Sequence, residues 1–196
     1  MDYKAAKAYI IDKLDKELSE TLTYHGMHHT LDVLKVTEEL CDIENVEGRD
    51  KMLLLTAALF HDAGFTVDSK NHEELGCLIV KNTLPKYGYT DTDILKICGM
   101  IMATKIPQKP RTHLEEIICD ADLDYLGRDD FYAIGNSLFK ELETLNIITD
   151  EKVWNKIQVN FLTAHNFHTN TNKSRRAPVK QMYLDELKEI VATYES

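Results

Sequence analysis

The sequence predicts an all-α fold, a single domain over residues 1–196 built as a bundle of eight or nine helices. Three observations lead there. Apolar residues recur every three or four positions along most of the chain, the spacing that lays one stripe on an α-helix. No stretch alternates apolar and polar residues between hairpin signals, and the valines and isoleucines fall inside helical periods. Nothing reads as a repeat, a low-complexity tract or a Gly/Ser linker, so one core is expected.

Each element follows from its own pattern. Residues 3–19 place Ala6, Ile10, Leu14 and Leu18 on one stripe, and residues 28–42 do the same with Leu34, Thr37, Leu40 and Cys41. Residues 49–62 hold the most apolar run of the chain, which ends in His61 and Asp62; Gly64 then offers the left-handed backbone that stops a helix. Residues 71–84 stop before Pro85, whose ring disfavours helical backbone in the residue before it. Residues 91–104 turn Ile94, Leu95, Cys98 and Ile101 inward and end near Pro107 and Pro110. Residues 112–125, 129–146, 151–167 and 178–194 complete the set. The polar stretch from His168 to Arg176 reads as a loop.

Composition narrows the function. With 33 acids against 23 bases the net charge is -10, which argues against a nucleic-acid polymer or an anionic membrane as partner. A small anion stays possible, because a divalent cation inverts the sign inside one pocket. Cys41, Cys77, Cys98 and Cys119 form no C-x-x-C pair and sit in apolar-periodic segments, as buried packing residues of a reducing compartment do. The charged N-terminus lacks the apolar core of a signal peptide, and the run from Met52 to Phe60 is too short to span a bilayer. A cytoplasmic protein is expected. No Rossmann or P-loop glycine pattern is present, so no organic cofactor is expected.

An imidazole and a carboxylate at the end of a buried apolar helix are costly to desolvate unless something binds them. Three other stretches carry ligand-type side chains: Tyr24-His25-Gly26-Met27-His28-His29, Asn71-His72-Glu73 and Asp120-Ala121-Asp122-Leu123-Asp124. Their order (His, then His-Asp, then Asp) resembles the HD superfamily of metal-dependent phosphohydrolases, over residues 20–130. The runs A-T-K-I-P and D-A-D-L-D-Y-L-G look like one mononuclear bacterial branch of that superfamily.

The resemblance implies His29, His61, Asp62 and Asp122 as ligands of a divalent ion, with Asp120 the rival for the last place. Consecutive helical residues point about 100° apart, so only one of His28 and His29 faces the ion, and His29 is chosen. Two imidazoles and two carboxylates suit Mn²⁺, Fe²⁺, Co²⁺, Ni²⁺ or Mg²⁺ better than a closed cysteine-rich zinc site. The implied reaction is hydrolysis of a phosphate ester, in a nucleotide or another small phosphorylated metabolite, by water activated at the ion.

His25 matches the general acid in the similar Y-H-N motif of cyclic-nucleotide phosphodiesterases, with Gly26 in place of the Asn. The general base stays open among Asp62, Asp122 and Glu73, because Phe65 and Thr66 stand where some relatives carry a glutamate. His72, with Glu73, is expected to touch substrate phosphate or a second ion. Lys105, at a helix end, is a candidate for meeting phosphate. His165, His168, Thr169 and Arg176 are candidates for closing the pocket around an anion. Two alternatives are kept: a cyclic-nucleotide-type phosphodiesterase, and a sensor that binds metal and nucleotide without turnover. A di-iron oxygenase is disfavoured, since it needs further histidines in the intervening helices.

Overall fold

Capping residues set where the helices begin. Asp2, Thr90, Thr112, Asp150 and Thr169 each accept a hydrogen bond from a first-turn N–H of the helix that follows. The computed structural model describes residues 1–195, and among these it has ten α-helices, four short 3₁₀ turns and no strand. The helices are α1 (Tyr3–Glu17), α2 (Met27–Ile43), α3 (Gly48–Phe60), α4 (His72–Thr83), α5 (Asp91–Thr104), α6 (His113–Asp122), α7 (Phe131–Thr144), α8 (Glu151–Ala164), α9 (Asn170–Arg175) and α10 (Ala177–Ala192). No helix among the described residues is long and apolar enough to cross a membrane.

The all-α class holds, with three local corrections. The stretch expected as a loop contains α9, so the helix number is ten rather than eight or nine; Thr169 caps it through the Asn172 N–H, and its own N–H and hydroxyl are bound by the buried Asp120. Leu95, expected inside, is 69% exposed, while Ile94, Cys98 and Ile101 are buried. Gly64 has no left-handed backbone. Its lack of a side chain is needed for another reason: a Cβ there would lie 1.9 Å from the carbonyl oxygen of His72. Helix α4 therefore starts directly against the end of α3, which brings His72 and Glu73 beside His61 and Asp62.

Two apolar clusters form the interior. The first joins α1 to α6 around α3, whose residues Leu53 to Phe60 are all buried. The second gathers Tyr24, Leu126, Phe131, Leu162, Phe167 and Tyr183 with their neighbours from the C-terminal helices. All four cysteines are buried and unbridged.

Candidate metal centre and adjoining cavity

His29 sits in the first turn of α2, His61 caps α3, Asp62 follows it, and Asp122 ends α6. The His61 Nδ1–H donates to the Ala58 carbonyl at 2.8 Å, which turns Nε2 toward the cluster. There, His61 Nε2 lies 3.3 Å from His29 Nε2. Asp122 Oδ1 is 3.1 Å from His29 Nε2 and 3.5 Å from His61 Nε2. Asp62 Oδ2 is 3.2 Å from His61 Nε2 and 3.5 Å from His29 Nε2. Tyr24 stacks on the His29 ring and fixes its plane.

This donor set fits a divalent cation. His29, His61 and Asp122 offer ligand atoms that all lie within 4.8 Å of one another. Asp62 Oδ2 is buried among them and makes no hydrogen bond, a costly state for a carboxylate oxygen unless a cation shares it. Burial disfavours a charged His61, but Asp62 and Asp122 outweigh it and raise its pKa well above the ordinary value. Burial likewise opposes ionisation of Asp62 and Asp122, yet the imidazoles hold both below the usual carboxylate range. Two carboxylates thus stay ionised beside two histidines, the arrangement a hard or borderline ion takes.

A second layer of residues faces this cluster across the cavity. The Phe65 ring stacks on both His25 and His72, at centroid distances of 4.2 Å to each, and the two imidazoles lie 6.2 Å apart at 49° to one another. His25 Nδ1 is 2.5 Å from Glu141 Oε1, and Glu141 Oε2 accepts the backbone N–H groups of Tyr24 and His25 at 2.7 and 3.0 Å. Burial lowers the His25 pKa, but the Glu141 hydrogen bond and the charges of Asp62, Glu141 and Asp122 more than reverse this, so it is raised. His72 Nδ1–H donates to the Ser69 carbonyl at 3.1 Å. Its Nε2 faces Asp62 Oδ1 at 3.6 Å and Glu73 Oε1 at 3.4 Å.

Other expected site residues lie elsewhere. Lys105 Nζ is held by Glu74 at 2.5 Å and by Glu73 at 3.7 Å, and its side chain is not part of the cavity wall. Asp120 accepts from the N–H groups of His168 and Thr169 and from the Thr169 hydroxyl, so it anchors α9 and does not join the ligand cluster. Arg176 donates through Nε to Asp124 at 2.8 Å. His165 lines a separate, smaller cavity with Gln108 and His168, packed against Phe161 and Phe167. The structure therefore does not bring His165, Thr169 or Arg176 to the ion cluster.

Glu141 is the residue that sequence reasoning missed. It falls on the apolar stripe of α7 with Ile134 and Leu138, and an acid on a buried stripe is the signal that marks it.

The HD domain family model matches residues 26–124, just over half of the chain. No match is found among curated proteins. Two solved structures share the fold. One is a predicted HD superfamily hydrolase from an uncultured Thermotogales bacterium, 18% identical over 95% of this chain and 92% of its own, with a TM-score of 0.62. The other is a Lactobacillus plantarum protein, 17% identical over 97% of both chains, with a TM-score of 0.66. With the family match covering the whole span from His29 to Asp122, this chain belongs to the HD domain family.

Proposed function

We propose that this chain is a metal-dependent phosphohydrolase that cleaves a phosphate ester of a small metabolite. The observation that carries the reading is the convergence of His29, His61, Asp62 and Asp122, with a buried Asp62 oxygen that has no hydrogen-bond partner. The description of the Thermotogales neighbour as a predicted hydrolase supports the same class. These four residues would hold Mn²⁺, Fe²⁺, Co²⁺, Ni²⁺ or Mg²⁺. Such an ion, when bound, supplies an acidified water and offsets charge on a phosphoryl oxygen.

The remaining steps belong to the protein. His25, whose pKa is raised by its hydrogen bond to Glu141, donates a proton to the leaving oxygen. Glu73, with His72 Nε2 3.4 Å from its Oε1, accepts the proton lost by the attacking water. Phe65 packs against both His25 and His72, whose planes meet at 49°, and limits the rotation of the two rings. An imidazole hydrogen-bonded to a carboxylate and poised beside the cluster favours turnover over sensing. The test is phosphate release from a panel of sugar phosphates, nucleotides and simple monoesters, assayed with Mn²⁺ and with Mg²⁺. Release that needs the cation supports the reading; no release from any ester overturns it.

A further inference from the structure

The cavity that starts at the His/Asp cluster continues between α7 and α8, and its two ends differ in kind. Near the cluster it is lined by His25, His72 and Glu73. Along α7 and α8 its walls are Leu138, Leu142, Trp154, Ile157, Phe161 and Leu162. No lysine or arginine among the described residues lines any part of it. Its volume is about 340 Å³, near the lower end of ligand pockets, which run roughly 300–1,000 Å³. Close-packed interiors hold few voids larger than a water molecule, so a space of this size lined by leucine and aromatic side chains is a candidate ligand pocket.

Building on the phosphohydrolase reading, we propose that the substrate is a monophosphate ester of an apolar alkyl or aryl alcohol. Its phosphoryl group lies at the His/Asp cluster, and its organic group fills the chamber between α7 and α8. Charge is the first argument. A nucleoside triphosphate brings several negative charges to a cavity that holds Asp62, Glu73 and Asp122, where the nearby lysine, Lys105, lies outside the wall and is taken up by Glu74 and Glu73. One phosphoryl group is what this site can balance. Polarity is the second. The hydroxyls of a sugar would lose water against Leu138, Leu142 and Phe161 with little but the Gln158 amide in the α7 and α8 walls to receive them, whereas an apolar group gains by the same transfer. In the reaction the P–O bond to the alcohol breaks and the water oxygen bonds to phosphorus. The alkoxide takes the His25 proton, and the water proton passes to Glu73, leaving phosphate and the free alcohol.

Trp154 is the only tryptophan of the chain and stands in the chamber wall, so its fluorescence reads occupancy without turnover. Titration with methyl-, butyl- and hexylphosphonate in Mg²⁺ buffer is expected to show Kd falling roughly fourfold per added methylene. Ile157→Asp, at a wall position that is 38% exposed and so tolerant of substitution, is expected to flatten that series. A series without slope in the native protein, or tighter binding of a nucleoside triphosphate than of hexylphosphonate, overturns the proposal. Phosphate release from the matching alkyl esters separates the two readings. Release from glycerol phosphate as fast as from hexyl phosphate keeps the hydrolase and overturns the apolar substrate. Chain-length-dependent binding with no release from any ester keeps the apolar ligand and overturns the hydrolase.

Discussion

Helices α1 to α6 meet in an aliphatic core where Ile10, Leu40, Leu53, Leu54, Ile97 and Ile101 are sealed from solvent. The C-terminal helices meet instead around aromatic rings, with Phe131 stacked on Tyr183 at 4.5 Å and Phe139 on Trp154 at 5.8 Å, and they leave a cavity between them. The difference divides the labour. A tightly filled core has low compressibility and holds side chains to fixed positions, which suits ligands that must converge on one ion. All four proposed ligands come from α2, the α3 end or α6, on the filled side. The open side supplies space and the Glu141 carboxylate. Buried polar links join the two sides: Asp120 to Thr169, Asp124 to Arg176, and Glu141 to Tyr24 and His25.

The largest effect is expected on the filled side. Asp62→Ala should lower metal-dependent phosphate release by on the order of 10³-fold or more. The variant also loses the carboxylate that faces His61 Nε2 at 3.2 Å and raises its pKa, so the metal-free Tm should fall as well. Thermal melts with and without Mn²⁺ separate the two effects: the Mn²⁺-dependent rise in Tm should vanish on top of that fall. A variant that keeps full activity would end the metal-centre assignment. Asp124→Ala, at the seam, should behave in the opposite way. Asp124 is fully buried and accepts from Arg176 and Asn172. Its loss leaves buried donors unpaired and should cost about 3–5 kcal/mol in urea unfolding, with activity per folded molecule little changed.

His25 tests the link across the seam. His25→Gln should reduce kcat by roughly 10²-fold for alkyl esters, and less for aryl esters whose leaving oxygens need no proton. The pH dependence carries a sign. His25 acts only when protonated and its pKa is raised, so it sets a basic limb along which activity falls as pH rises through that pKa, while protonation of the ligand imidazoles sets the acid limb. Glu141→Gln removes the hydrogen-bonded charge, lowers the pKa, and should move this basic limb of the pH profile to lower pH. An unmoved limb would show that Glu141 does not set the His25 charge.

The two sides also differed in how far they could be read from sequence. On the filled side, stripes such as Ala6, Ile10 and Leu14 specify helix faces by periodicity alone, and all three are buried as expected. The ligand cluster was legible because a carboxylate and an imidazole at the end of an apolar run conflict with burial, and a conflict is conspicuous. The Asp120-Ala121-Asp122-Leu123-Asp124 run shows where legibility stopped. Asp122 faces the cluster while Asp120 and Asp124 face α9 and α10. That choice depends on where α6 ends and on partners some fifty residues later, which no local spacing encodes. Thr169 and Arg176 look like anion donors in sequence for the same reason: their partners, Asp120 and Asp124, are distant in the chain. The chamber was invisible, since a void has no residue of its own.

The smallest effect concerns His165, on the open side. Neither ring nitrogen makes a hydrogen bond, and burial, with the charges of Lys180 and His168, lowers its pKa from 6.5 to about 3. Between those values the unfolded chain binds a proton that the folded protein refuses. Stability from this site is therefore present above pH 6.5 and lost as pH falls toward 3, by about 2 kcal/mol between pH 7 and pH 5. His165→Phe keeps an aromatic ring against Phe161 and Phe167 and removes the proton site. Urea unfolding at both pH values should show a smaller loss for this variant than for the wild type. Equal losses would mean that the ring finds a proton partner in the folded state, and the aromatic side of the molecule would then be more polar than its packing indicates.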